Sequence, residues 1–416
     1  MKIIPFKTHS ECPMKVFSLN YQSVASFLFL FFLIFAIIRP SPTQILGEGT
    51  AVRVFDIISF GLGIILFAFI IFRTKKTYLK QMSLPLSLFM LILLVFLAVI
   101  STYFSTFDQS YEASLIDLAE LFKLIYYIVI FYFAYIVSRY VSIGKFIKYL
   151  LIGGFISLAI ATLQYFNPAN VNNLISYIYT ETGLRDISSS NPRVFGTLYN
   201  PNWFGVFLGM WTVLLLSYFG IQKKNLFSVI ILLCGSTGII LSGSRTAIIS
   251  FILSLLVIYI LFVLYNRSVI QHLTFPLITV GAFYLIYDQL EFNNIRLQEL
   301  NLAIQSNDIS QVAAAQSRID LWNIGLEHFI NNPLIGIGFA NSIELSPHNS
   351  FILLLAQFGV LGGLIFIVFF TSLFFNTIIG VMKSEDRLNK SYCIGFIGCI
   401  VVFLISIPDF ARATSR

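Results

Sequence analysis

Apolar runs of about twenty residues recur from one end of the chain to the other, separated by shorter polar stretches. A helix of that length crosses the hydrocarbon core of a bilayer. Eleven runs qualify: 22–38, 54–72, 83–103, 114–137, 146–166, 202–219, 226–241, 246–264, 270–287, 350–382 and 391–407. The first is too long, and too far from a small-residue cleavage site, for a signal peptide. The pattern predicts an all-α polytopic membrane protein with no sizeable soluble domain. Residues 1–166 hold five spans. Residues 167–382 hold two long polar loops, 167–200 and 288–347, with the spans around them, and residues 383–416 hold the last span and a tail.

Between residues 312 and 330 the period changes. Ile319, Trp322, Leu326, Phe329 and Ile330 recur at helical spacing, with Arg318, Asp320, Asn323 and Glu327 largely on the other side, and Asn332-Pro333 ends the pattern. Such a helix suits a membrane–water interface. A second amphipathic stretch covers Ile295 to Ile304.

Composition agrees with this class: of 416 residues, 57% are hydrophobic and 11% charged. Charge adds orientation. With Lys2, Lys7 and Lys15 placed in the cytoplasm, every second loop is basic: Arg73 to Lys76, Arg139 to Lys148, Lys223-Lys224, Arg267, and Lys383 to Lys390. Loops 104–113, 167–200 and 288–347 then fall outside, and the eleventh span leaves the C-terminus outside. The net charge of +7 follows from this topology and gives no argument for nucleic-acid binding.

The outer segments carry Arg39, Arg53, Arg185, Arg193, Arg245, Arg296 and Arg318 and no lysine, whereas the inner loops carry mostly lysine. Guanidinium binds phosphate oxygens bidentately; ammonium acts as a point charge. The partition points to a phosphate-bearing ligand on the outer face or to a chance division. Cys12, Cys234, Cys393 and Cys399 lie inside or within spans, so no disulfide framework and no metal-site spacing are expected. Asp117, Glu120 and Lys123 share one helical face near the outer end of the fourth span. They either neutralise one another or line a watery cavity.

Three further stretches concentrate polar chemistry at the outer ends of spans. Pro192-Arg193-Val194-Phe195-Gly196-Thr197 is followed by Asn200-Pro201-Asn202, where Asn200, restrained by the proline after it, caps the entry to the sixth span. Ser242-Gly243-Ser244-Arg245-Thr246 makes a tight hairpin whose small residues let two helices approach. Asn331-Asn332-Pro333-Leu334-Ile335-Gly336-Ile337-Gly338 and Pro347-His348-Asn349-Ser350 lead into the tenth span.

Taken in order, Arg193-Val-Phe-Gly-Thr with Asn200-Pro-Asn, Ser242-Gly-Ser-Arg-Thr, Arg318…Leu321-Trp322…Pro333 to Gly338, and His348-Asn349…Gly359…Gly362 resemble the O-antigen ligase and Wzy-type polysaccharide polymerase family over about residues 190–380. The resemblance implies a GT-C-like bundle with amphipathic helices in a large outer loop. It implies a metal-independent glycosyltransferase without cofactor in the bacterial cytoplasmic (inner) membrane, with its active site on the extracytoplasmic face. The donor would be an undecaprenyl-pyrophosphate-linked oligosaccharide and the acceptor a glycan or lipid core, in O-antigen, capsule or exopolysaccharide synthesis. Partners would include a chain-length regulator and a flippase. Many members have about twelve spans with both termini inside, so eleven departs from the pattern at the C-terminal end.

The residues suit that chemistry. A pyrophosphate leaving group needs positive charge aimed at its oxygens, which Arg193, Arg245 and Arg318 would supply in place of a metal. Asn202 and Asn349 would bind substrate alongside Arg193. The acceptor hydroxyl needs a base near neutral pH. His348 stands at the outer face, whereas His328 lies on the 318–331 helix and His9 and His272 lie inside. A flippase for the same lipid-linked sugars is the alternative, for which inverted repeats or broken helices at the midplane are expected.

Overall fold

The computed structural model describes residues 18–38, 57, 60–61, 64, 85–107, 115–137, 141–178, 193–198, 200–222, 225–265, 313–339 and 349–406. Among them all regular structure is helical: α1 (Ser18–Ile38), α2 (Leu86–Phe107), α3 (Leu115–Val137), α4 (Ile143–Phe166), a 3-10 turn at Pro168–Asn170, α5 (Val171–Ile178), α6 (Pro201–Ile221), α7 (Asn225–Leu241), α8 (Arg245–Tyr265), α9 (Ala313–Asn331), α10 (Ser350–Lys383) and α11 (Arg387–Ser406). Nine of the eleven expected spans are thus helices, six of them long and apolar enough to cross a membrane by length and composition. The runs 54–72 and 270–287 lie outside the described residues, apart from a few positions in the first.

Helix α6 is the centre. It packs on α7, α8 and α11 and touches α4, while α1 lies on α4, α2 lies on α3 and α10, and α9 lies on α10. Of its apolar window 78% is buried, against 28–39% for the other five spans, yet its mean hydropathy of 1.6 is the lowest of the six. Lipid is as apolar as leucine, so burial in a membrane bundle is won by close packing and polar contacts rather than by hydrophobicity. Helix α8, at mean hydropathy 3.0, turns Ile249, Ile252, Leu253, Leu256 and Ile260 outward.

Small residues on the neighbours receive the large side chains of α6. The indole of Trp211 lies over Gly154 of α4, donates from Nε1 to the Leu150 carbonyl at 2.9 Å, and meets Phe155 edge-on at 5.5 Å. A Cβ at Gly238 of α7 would collide with Leu208 Cδ1, and one at Gly395 of α11 would meet Leu214 Cδ1 at 2.9 Å.

The span expected at 350–382 is two helices in line. At Gly359 the backbone turns to φ 62°, ψ −162°, a region open essentially to glycine alone. An unbroken helix would pair the Val360 and Leu361 amides with the Ala356 and Gln357 carbonyls. Here those amides donate instead to Pro333 O (2.8 Å) and Leu334 O (3.3 Å), while Ile337 N and Gly338 N donate to Ala356 O (3.0 Å) and Gln357 O (2.8 Å). The segment after α9 thus satisfies the four groups that the break sets free. From Val360 to Lys383 the helix rises roughly 36 Å at about 1.5 Å per residue, enough by itself for a ~30 Å hydrocarbon core. The first piece, Ser350–Phe358, is therefore surplus to the crossing, and the break stands near one end of the crossing.

Gly154→Ala drives a methyl into the Trp211 pyrrole ring, whose Cδ1 would lie 2.7 Å from the new carbon. A loss of about 1–3 kcal/mol in stability is expected, read as a lower thermal midpoint of the detergent-solubilised protein. Because the closest clash is with Nε1, which phenylalanine lacks, adding Trp211→Phe should recover part of the loss.

Candidate active site at one end of the bundle

The contacts of the loop before α6 place several motifs at one end of the bundle. Positions 193–198 are all buried. Gln164, near the end of α4, accepts from the Phe195 and Gly196 amides through Oε1 (3.0 and 2.8 Å) and donates from Nε2 to the Gly196 carbonyl (2.8 Å). Thr197 Oγ1 donates to Ile37 O at 2.7 Å and meets Ser157 Oγ at 2.8 Å. Val194 N donates to Leu241 O at the end of α7. The loop is thereby fixed to α1, α4 and α7 at once. Buried backbone groups must find partners, and here side chains from neighbouring helices supply them.

Arg193 is 6% exposed. Its Nε donates to Ser242 O at 2.9 Å and its Nη2 to Asn202 Oδ1 at 2.5 Å. Asn200 accepts from Asn202 N at 2.8 Å and so caps α6, as its place before Pro201 predicts. In the hairpin, Ser242 Oγ donates to Ile239 O (2.6 Å) and accepts from Ser244 N (3.2 Å), and Ser244 Oγ accepts from Ala247 N at the start of α8. The two helix starts are pressed together at Gly205, where a Cβ would meet Ser242 Oγ at 2.6 Å and Ala247 Cβ at 2.8 Å. Arg245, half-buried, is the first residue of α8.

Three of the six expected site residues, Arg193, Asn202 and Arg245, are thus brought together. Two helix N-termini converge there, and each carries about half a positive charge. Arg193 and Asn202 bind each other and the hairpin, so they build this corner. Asn349 likewise serves the backbone, its Oδ1 accepting from Phe351 N (3.0 Å) and Ile352 N (3.2 Å) at the head of α10. Position 318 lies in α9, and His348 lies outside the described residues.

In α9, among residues 319–331, Gly325 is buried, flanked by half-buried Trp322 and Phe329, while Ile319, Leu326 and Ile330 are exposed. The apolar stripe is therefore divided: one edge meets α10, and the other faces outward. In α3, Lys123 Nζ pairs with Glu120 Oε1 at 2.9 Å, and Asp117 is buried. For Lys123 and Glu120 mutual neutralisation is the outcome.

Gln164, Ser157 and Ser101 were not among the residues expected from the sequence. Each is a polar residue inside an apolar run, which is the signal that would have found them.

Because Arg193 and Asn202 share a hydrogen bond, their substitutions should not add. Arg193→Ala with Asn202→Ala is expected to show a coupling of about 0.5–3 kcal/mol in a double-mutant cycle of stability. Additive losses would separate the two residues.

The comparisons with known proteins bear on the same region. No curated protein matches the chain. The family model described as O-Antigen ligase matches residues 226–367, from the first turn of α7 through the hairpin, α9 and the break in α10. The hairpin arginine, position 318, and the His348, Gly359 and Gly362 positions all fall inside that match, so the similarity to the O-antigen ligase family runs over residues 226–367.

Proposed function

We propose that the chain is a glycosyltransferase of the extracytoplasmic face of the bacterial cytoplasmic membrane, acting on an oligosaccharide linked through pyrophosphate to undecaprenol. It passes that oligosaccharide to a second glycan or to a lipid core. The observation that carries this reading is the corner of Arg193, Asn202 and Arg245. Two helix N-termini meet there beside a half-buried arginine, partly within the matched domain. Positive charge held on rigid elements suits the charge that develops on a pyrophosphate leaving group. The charge pattern of the loops supports this end as the outer one.

In the proposed reaction the acceptor hydroxyl oxygen attacks the anomeric carbon as the bond to the pyrophosphate oxygen breaks. His348 takes the hydroxyl proton, Arg245 and Arg318 face the departing pyrophosphate, and Arg193 with Asn202 holds the hairpin that presents Arg245. No metal or cofactor enters the proposal. The flippase alternative expects helix breaks at the midplane; the break in α10 stands near one end, with a full crossing below it. The location favours transfer at the surface.

The test is the purified protein, reconstituted in lipid, with lipid-linked donor and acceptor. His348→Ala should lower turnover about 10²–10⁴-fold with donor binding retained. Wild-type turnover should fall as pH drops through the imidazole range of about 6–7, because only the neutral ring accepts a proton. Arg245→Ala should cost roughly 10²–10³-fold, with partial recovery in Arg245→Lys. Unchanged turnover in all three variants would remove the proposed chemistry.

A further inference from the structure

We propose that the segment Pro333–Phe339 and the broken helix α10 form a fixed clasp that sets α9 against the head of α10 and against α2, and that Gly359 is its principal positioning residue. The proposal rests on the transfer reaction proposed above for what the clasp serves, and on geometry alone for the clasp itself.

The clasp is reciprocal. Two carbonyls and two amides of α10, which would otherwise bond to one another, are exchanged for two amides and two carbonyls of the segment after α9. Neither partner can withdraw without stranding four backbone groups in an apolar setting, where no water replaces the lost bonds. Fit reinforces the bonding. A Cβ at Gly359 would collide with the Leu334 carbonyl oxygen and lie 2.6 Å from Ile335 N, and one at Gly336 would lie 2.5 Å from Gln357 O. At φ +69°, Gly336 also holds backbone that side chains disfavour.

A third element closes the arrangement. Ser101 Oγ of α2 donates to Gln357 O at 2.9 Å, so this carbonyl accepts from both α2 and Gly338. Thr102 Oγ1 accepts from Phe339 N at 3.3 Å, and a Cβ at Gly338 would stand 2.6 Å from Thr102 Cα. Phe339 and Phe358 meet edge to face at 5.3 Å. These contacts lie between two chemistry-bearing places. On one side α9 ends at Asn331, thirteen residues after position 318 in the same helix. On the other stands Asn349, which caps the Ser350–Phe358 piece. The spacing of those places depends on the clasp, whose exchanged bonds make it a fixed joint rather than a sliding contact.

The proposal is tested on the full chain, reconstituted in lipid, with its native cysteines replaced and spin labels at Asn323 of α9 and Tyr103 of α2, both exposed. Two variants loosen the clasp by different means. Gly359→Ala cannot hold the observed backbone; Val360→Pro deletes the single amide that bonds Pro333 O, at the first position of the second piece, where a helix tolerates proline. The parent should give one narrow interlabel distance distribution, and both variants should broaden or shift it. Turnover should fall roughly 10- to 100-fold in each while the KM for lipid-linked donor stays within about twofold, the pattern of misplaced rather than missing groups. Unchanged distances in both variants would overturn the clasp as a fixed joint. Broadened distances with unchanged turnover would overturn its positioning role. A parent inert towards every lipid-linked glycan fails the proposed reaction alone, since the distance measurement still decides the clasp.

Discussion

A backbone amide or carbonyl that leaves its helix inside an apolar bundle must find another partner there, and this protein meets that constraint at each functionally interesting point. Where α10 breaks at Gly359, the segment after α9 takes over the four abandoned groups. Where residues 193–198 run without helix before α6, the Gln164 carboxamide satisfies the Phe195 and Gly196 amides and the Gly196 carbonyl. Where α7 turns into α8, Ser242 and Ser244 cap the turn and Arg193 takes the Ser242 carbonyl. Irregular backbone is tolerated at membrane depth when protein supplies the missing bonds. Those same places carry the arginines, asparagines and glycines that resemble the O-antigen ligase pattern.

This gives the motif residues two kinds of work. Some hold the frame: Arg193 and Asn202 join two helix starts, Asn349 caps the first piece of α10, and Gly336 and Gly359 allow the exchange of backbone bonds. Arg245, the leaving-group contact of the proposed reaction, stands first on a helix whose partner helix is locked beside it. A transferase of the kind proposed depends on charge already in place before substrate arrives, because reorganising dipoles during the reaction forfeits their stabilisation. The bonding around Arg193 is the kind of support such a site requires.

The burial order of the bundle follows from the solvent. Helix α6 is the least hydrophobic of the six long apolar spans and the most buried. In water, the most apolar helix would take the centre. In lipid, Gly154, Gly238 and Gly395 around α6 permit contacts that leucine-rich surfaces do not, and the apolar faces of α8 and α10 are left to the acyl chains.

The helices and their ends were legible in the chain alone, because a period of 3.6 residues, the length of an apolar run and caps such as Asn200 before Pro201 are local properties. The division of charge among loops likewise assigned Arg193, Arg245 and position 318 to one side. Which face of α9 meets protein was not legible, since Ile319 and Phe329 are equally apolar, yet Ile319 is exposed and Phe329 half-buried. Nor was the division of the span at 350–382 into two pieces, because the partner for the freed groups lies some twenty residues away, beyond the reach of any periodicity. Folding also gave Arg193 a bracing role that the sequence reading did not contain. Its hydrogen bond to Ser242 joins positions 49 apart in the chain, a pairing that side-chain chemistry permits and that the packing of α6 against the hairpin brings about.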